Sequence, residues 1–186
     1  MKSLMLMLTM LFSLSAFSKE LHDVKMADDL KIAGQSLKLK GMGIREINIL
    51  GIYIRVYVAG LYVADPTLSC DKIIKSDKVR AIYMSFLRHA SPEDLNKNLQ
   101  KGVSGNCEDK CNDLIPQAKN LKKFIPSVNT GDILKITFDS KGTEFALNDK
   151  VLGREEGVPF SQTLLAAYIG KEPATEDLKA GLCGTK

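Results

Sequence analysis

Only two histidines, His22 and His89, occur in the 186 residues, and that scarcity removes much metal and nucleophile chemistry at once. They cannot form a helical two-histidine zinc motif, and no Gly-x-Ser-x-Gly elbow occurs. Gly41-x-Gly43 fails as a dinucleotide fingerprint, because position 46 is glutamate and a strand-like run follows instead of a helix. An excess of one charge is lacking too. The 26 basic and 22 acidic residues are dispersed, which excludes the electrostatic footprint of a nucleic-acid-binding protein. Lys119, Lys122 and Lys123 form a local basic cluster, but beside Leu121 and Phe124 they read as the solvated face of a helix. No internal repeat, low-complexity stretch or linker divides the chain.

What the sequence does have begins with Lys2, an apolar run from Leu4 to Leu14, and the small residues of Ala16-Phe17-Ser18. This is the pattern of a secretory signal peptide cleaved after Ser18, and the run is too short for the ~20 apolar residues of a membrane span. The expectation is a leader over 1–18 and one domain over 19–186, exported to a bacterial periplasm, with no stable membrane span in the mature form. Export changes the reading of Cys70, Cys107, Cys111 and Cys183, since an oxidising compartment favours disulfides. Three pairings are possible. A local Cys107–Cys111 bridge within a polar loop would leave Cys70 with Cys183 and tie the C-terminal tail to the body. Metal or redox use is disfavoured by the absence of Cys-x-x-Cys spacing and of a neighbouring histidine.

Periodicity supplies the elements. Residues 41–63 read as a β-hairpin turning at Gly51, and 79–87 as a further strand. Ser91-Pro92-Glu93-Asp94 is a helix start, with Leu95, Leu99 and Val103 at helical spacing. A second helix from Asn112 or Asp113 carries Leu114, Ala118, Leu121 and Ile125 inward before Pro126. From Asp132 a meander of three strands follows, then an amphipathic helix over 159–169 closed by Gly170, and a shorter helix over about 175–182. Adjacent antiparallel strands with helices between and after them predict an α+β architecture. In the second hairpin strand Ile52, Ile54, Val56 and Val58 fall on one face, read as core, and Tyr53, Arg55, Tyr57 and Ala59 on the other.

The order Gly41, Gly43, Arg45, Ile49, Gly51, Tyr57, Gly60, Leu61, Tyr62, Val63 resembles the chalcone isomerase-like proteins, and the likeness continues through 132–152 and Phe160–Gly170. The resemblance implies an open-faced antiparallel sheet with helices on one side and a ligand cleft between the layers. It implies that Arg45 and Tyr57 are the carboxylate-binding pair of the fatty-acid-binding branch. The chemistry agrees: an arginine inside a cleft needs an anion, a carboxylate fits its planar fork, and a tyrosine hydroxyl donates to the same oxygen. The partner expected is therefore a fatty acid or similar amphipathic carboxylate.

The enzyme branch uses the same arginine to orient a phenolate in a conjugate addition that needs no cofactor, so Arg45 would be catalytic only in an isomerase. Its threonine is replaced here by Tyr57, and its later tyrosine and asparagine fall near Asp94 and Lys101. Binding without catalysis is the first reading and an intramolecular lyase the alternative. Haem binding, known among relatives of this fold, is a second alternative, with His89 as the first ligand to mutate. Without the resemblance, Arg45 would read as the partner of Glu46, Glu155 or Glu156 in a surface ion pair.

Overall fold

A computed structural model describes residues 18–185. The expected leader lies outside the described residues except for Ser18, which opens the first strand.

Among the described residues nine strands and five α-helices follow in order. Strands β1 (Ser18–Leu21) and β2 (Val24–Ala27) form a small hairpin of their own. Strands β3 (Asp29–Ile32), β4 (Gln35–Ile49), β5 (Ile52–Val63), β6 (Arg80–Phe86), β7 (Ile133–Phe138), β8 (Gly142–Leu147) and β9 (Lys150–Glu156) make one antiparallel sheet in sequence order. Helix α1 (Cys70–Lys75) lies between β5 and β6, α2 (Pro92–Asn106) and α3 (Cys111–Asn120) between β6 and β7, and α4 (Val158–Ile169) and α5 (Glu176–Cys183) end the chain. The expected α+β architecture, a curled antiparallel sheet with helices on one side, is what forms. The expected hairpin, later strands and principal helices are present. The sequence reading did not assign β1, β2, β3 or α1.

Helix α2 starts where its capping chemistry says it should, with the Ser91 hydroxyl accepting from the Asp94 amide at 3.1 Å. Helix α3 ends at Asn120, and a 3-10 turn over Leu121–Lys123 carries Leu121 into the core. Helix α4 differs from expectation. It is buried on nearly every side, because α1, α2, α5 and the sheet all pack around it. The hydroxyl of Ser161, buried in this helix, is satisfied within the core by the Thr143 hydroxyl at 2.7 Å.

Two register shifts in the β4–β5 pairing decide which side chains meet the helices. The first, between Leu39 and Gly41, turns β4 so that Leu37 and Leu39 pack with Val58 and Tyr62 under the β1–β2 hairpin, while Gly41 and Gly43 face α5. The second leaves Val56 unpaired between Arg55, opposite Glu46, and Tyr57, opposite Arg45. The simple alternation read from the sequence is therefore overturned. Tyr57, Ala59 and Leu61 join the helix-side core, Val58 lies on the other face, and Ile52 is exposed.

Helix α5 sits directly on the backbone of β4. A Cβ on Gly43 would collide with the Leu178 carbonyl, one on Gly41 with the Gly181 carbonyl, and one on Gly181 with the Met42 carbonyl. The Gly-x-Gly pair is thus a seat for a helix. Cys183, at the end of α5, is bonded to Cys70 at the start of α1, which fixes the other side of that helix. The second bridge joins Cys107 to Cys111, so both expected pairs form.

Candidate functional site

Along β4 the row Gly41, Gly43, Arg45 runs beneath α5 towards the helix's first turn, because alternate residues share a face. Where the glycines give way to Arg45, α5 begins. Arg45 emerges beside Thr175, the residue that caps α5 by accepting from the Leu178 amide. Arg45, Glu46, Ile47, Asn48 and Tyr53 from the hairpin, with Thr175 and Asp177 from α5, line a groove of about 350 Å³. The groove is electrically mixed, with Arg45 against Glu46 and Asp177. The Arg45 guanidinium donates to the Glu46 carbonyl at 3.1 Å, while the Glu46 carboxylate is engaged by Arg55 at 3.3 Å. The surface ion pair considered for Arg45 with Glu46 is thus made by Arg55 instead.

Tyr57 stands directly opposite Arg45 across the β4–β5 ladder, so the two side chains leave the same face of the sheet. Its ring is buried against Phe86, with centroids 5.4 Å apart. Burial pushes its hydroxyl pKa up to about 12, and the positive charge of Arg45 pulls the other way. A tyrosine hydroxyl is protonated at neutral pH in any case, and burial makes Tyr57 hold that proton to a higher pH than usual. Tyr168, from α4, is close enough for the Tyr57 charge to bear on it, and its own hydroxyl is held well above the ordinary tyrosine range chiefly by burial. The sequence reading missed Tyr168 and Thr175. Tyr168 lay within the run used to identify α4, but only the core that the helices share with the sheet reveals its relation to Tyr57.

The cleft expected between sheet and helices is filled at this place by aromatic side chains, and the open space lies outside it, between the hairpin and α5. A larger depression of about 600 Å³ lies elsewhere, lined by Pro92, Glu93, Asn96, Lys97, Gln100, Lys122 and Lys123. Size does not make it the better candidate. Its rim is the charged, solvated surface anticipated for the lysine cluster, and Arg45 is not part of it.

Asp94 and Lys101, at the places of the enzyme branch's tyrosine and asparagine, are exposed on α2, and Asp94 accepts from the Ser91 hydroxyl. His89 is exposed and pairs with the Asn129 side chain at 3.2 Å. Among the described residues no cluster of histidine, cysteine, aspartate and glutamate could hold a metal ion, and no helix is long and apolar enough to cross a membrane.

Comparison with known proteins accords with this geometry. The family model described as chalcone isomerase-like matches residues 18–184. Among solved structures, the chain superimposes on the fatty-acid binding protein AtFAP1 of Arabidopsis thaliana with a TM-score of 0.73 at 16% identity, covering 91% of this chain and 97% of that one. No curated protein sequence matches.

Proposed function

We propose that this chain, which belongs to the chalcone isomerase-like family, binds a fatty acid or similar amphipathic carboxylate without transforming it. The observation that carries the reading is the rung that sets Arg45 opposite Tyr57 on one face of the sheet, a cation beside a residue whose hydroxyl is neutral at physiological pH. A cation and a neutral donor on one face call for an acceptor carrying negative charge. A carboxylate supplies two oxygens, one for each. The ligand's head would displace water from the Arg45 groove, whose volume lies at the lower end of the ~300–1,000 Å³ typical of small-molecule sites. The structural neighbour AtFAP1, named for fatty-acid binding, supports the same class of ligand. Two disulfides and the absence of a spanning helix among the described residues fit a protein exported to an oxidising compartment.

Catalysis is the weaker reading, because Tyr57 occupies the enzyme branch's threonine position and Asp94 and Lys101 face solvent. Native mass spectrometry of the chain over residues 19–186 decides the proposal. Long-chain acids should give adducts that weaken at least about tenfold in Arg45→Ala, the scale of a lost charge-assisted hydrogen bond. A clean unliganded mass after addition of long-chain acids would rule the binding reading out.

A further inference from the structure

Among the described residues six large apolar side chains are exposed, and four of them lie at one turn: Ile49 at 49%, Leu50 at 98%, Ile52 at 67% and Tyr53 at 71%. The segment that carries them is an arm. Strand β3 pairs with β4 only as far as Lys38, and β6 pairs with β5 only from Tyr57 onward, so Glu46–Arg55 is a two-stranded ribbon with no third strand. Its rungs Ile47 with Ile54 and Ile49 with Ile52 place four isoleucines on one face, and Leu50 caps the end. This face continues the row Gly41, Gly43, Arg45, whose covering helix starts level with Arg45, so that Ile47 and Ile54 are half-buried and Ile49 and Ile52 are exposed.

Leu50 is doubly out of place in water. It is almost wholly exposed, and it sits at φ +51° beside Gly51 at φ +85°, in a turn whose first position suits asparagine, aspartate or glycine. Large clustered apolar exposure on a folded domain marks a contact surface, and residues that break local rules concentrate at functional sites.

We propose that the β4–β5 arm is a membrane-docking tip, which places Leu50, Ile49 and Ile52 at the acyl boundary of a lipid bilayer with Tyr53 and Arg45 at the level of the headgroups. Area and shape favour a bilayer over a protein partner. A stable protein interface buries ~800 Å² per side, usually over a broad surface, whereas this patch is a handful of side chains on a narrow, convex turn. Shallow insertion needs only a few apolar side chains, and a tyrosine and an arginine just behind them are the usual interfacial anchors. Depth is limited by the arm itself, since its two edges carry unpaired backbone groups that hydrocarbon does not tolerate. Only the turn enters. The inference stands on the arm alone; an amphipathic carboxylate taken from the bilayer would give it a use.

The chain contains no tryptophan, so Leu50→Trp in residues 19–186 reports on this position alone. Vesicles of phosphatidylcholine, with or without phosphatidylglycerol, should shift its emission to the blue, and the wild-type chain should sediment with them. Leu50→Asp combined with Ile52→Asp should weaken sedimentation at least tenfold with an unchanged circular dichroism spectrum. An unshifted emission, or equal sedimentation of wild type and the double aspartate variant, would overturn the proposal. So would a concentration-dependent dimer in light scattering that Leu50→Asp abolishes, because the face would then belong to a second copy. Adduct formation in native spectra reads the carboxylate site separately, and the double aspartate variant should keep it.

Discussion

At the root of the β4–β5 hairpin, Gly41, Gly43, Ala59 and Leu61 are shut against α5 and the helix layer, whereas at the tip of the same two strands Ile49, Leu50 and Ile52 face water. Both ends are built from residues that favour strands, and the tip is the more branched and apolar of the two. Burial here follows neighbours rather than residue type. The root has the glycines that admit a helix backbone and a third strand on β5; the tip has neither. Arg45 and Tyr57 sit at the boundary, where the covering helix begins and the ladder is broken by Val56.

The sharpest way to break this contrast is to add one methyl group at each end. Gly43→Ala puts a Cβ into the Leu178 carbonyl, a backbone atom that cannot rotate away, so α5 must lift from β4. The expected loss is about 3 kcal/mol, read as a lower denaturation midpoint in urea, as for other overpacked cores. Gly51→Ala meets nothing within 4 Å and suffers only from φ +85°, so its loss should be about 1 kcal/mol. Equal losses at the two positions would mean that the glycine seat does not hold α5.

The hairpin and its turn were legible in the sequence because β-branched runs around Gly51 are a strong local signal. So was the capped start of α2, and of the three possible cysteine pairings the one that forms is that suggested by the short Cys107–Cys111 spacing, which leaves Cys70 to Cys183. The faces of β5 were not legible, because a single unpaired residue, Val56, inverts the alternation, and nothing local announces a bulge. Helix α4 was misread as amphipathic for a related reason: its burial comes from elements on several sides, one of them α1, which the sequence did not reveal. Of the site, Arg45 and Tyr57 were reached through a family resemblance. Their pairing on one rung, and the presence of Tyr168 and Thr175 nearby, depend on contacts distant in sequence.

A smaller effect should appear at the boundary. The Tyr57 pKa is raised by burial to about 12, so the folded state holds the proton more tightly than the unfolded chain, where tyrosine titrates near 10. The stabilisation tied to this proton is complete below about pH 10 and is lost as pH rises towards 12. Phenylalanine does not titrate. The stability difference between wild type and Tyr57→Phe should therefore move against the wild type by about 2 kcal/mol between pH 9 and 12, measured by urea unfolding at each pH. A difference that stays flat with pH would show that Tyr57 is solvated, and the boundary would then belong with the tip.

The smallest effect has the opposite sign, which makes it the most discriminating. Leu50 occupies the first position of a turn with positive φ at both central residues, where asparagine followed by glycine is the favoured pair. Asn48 already accepts from the Gly51 amide at 2.9 Å, so the turn is formed and only its first residue is unsuited. Leu50→Asn should relieve that strain and raise stability by about 0.5 to 1 kcal/mol, seen as a higher urea midpoint with an unchanged slope. It also removes the most exposed apolar side chain in the arm, so vesicle binding should fall in the same variant. A residue whose replacement stabilises the fold while weakening a contact is held in place by the contact. Were Leu50→Asn to destabilise the chain, leucine would have a structural role at the tip, and the distinction between a root built for packing and a tip built for contact would fail.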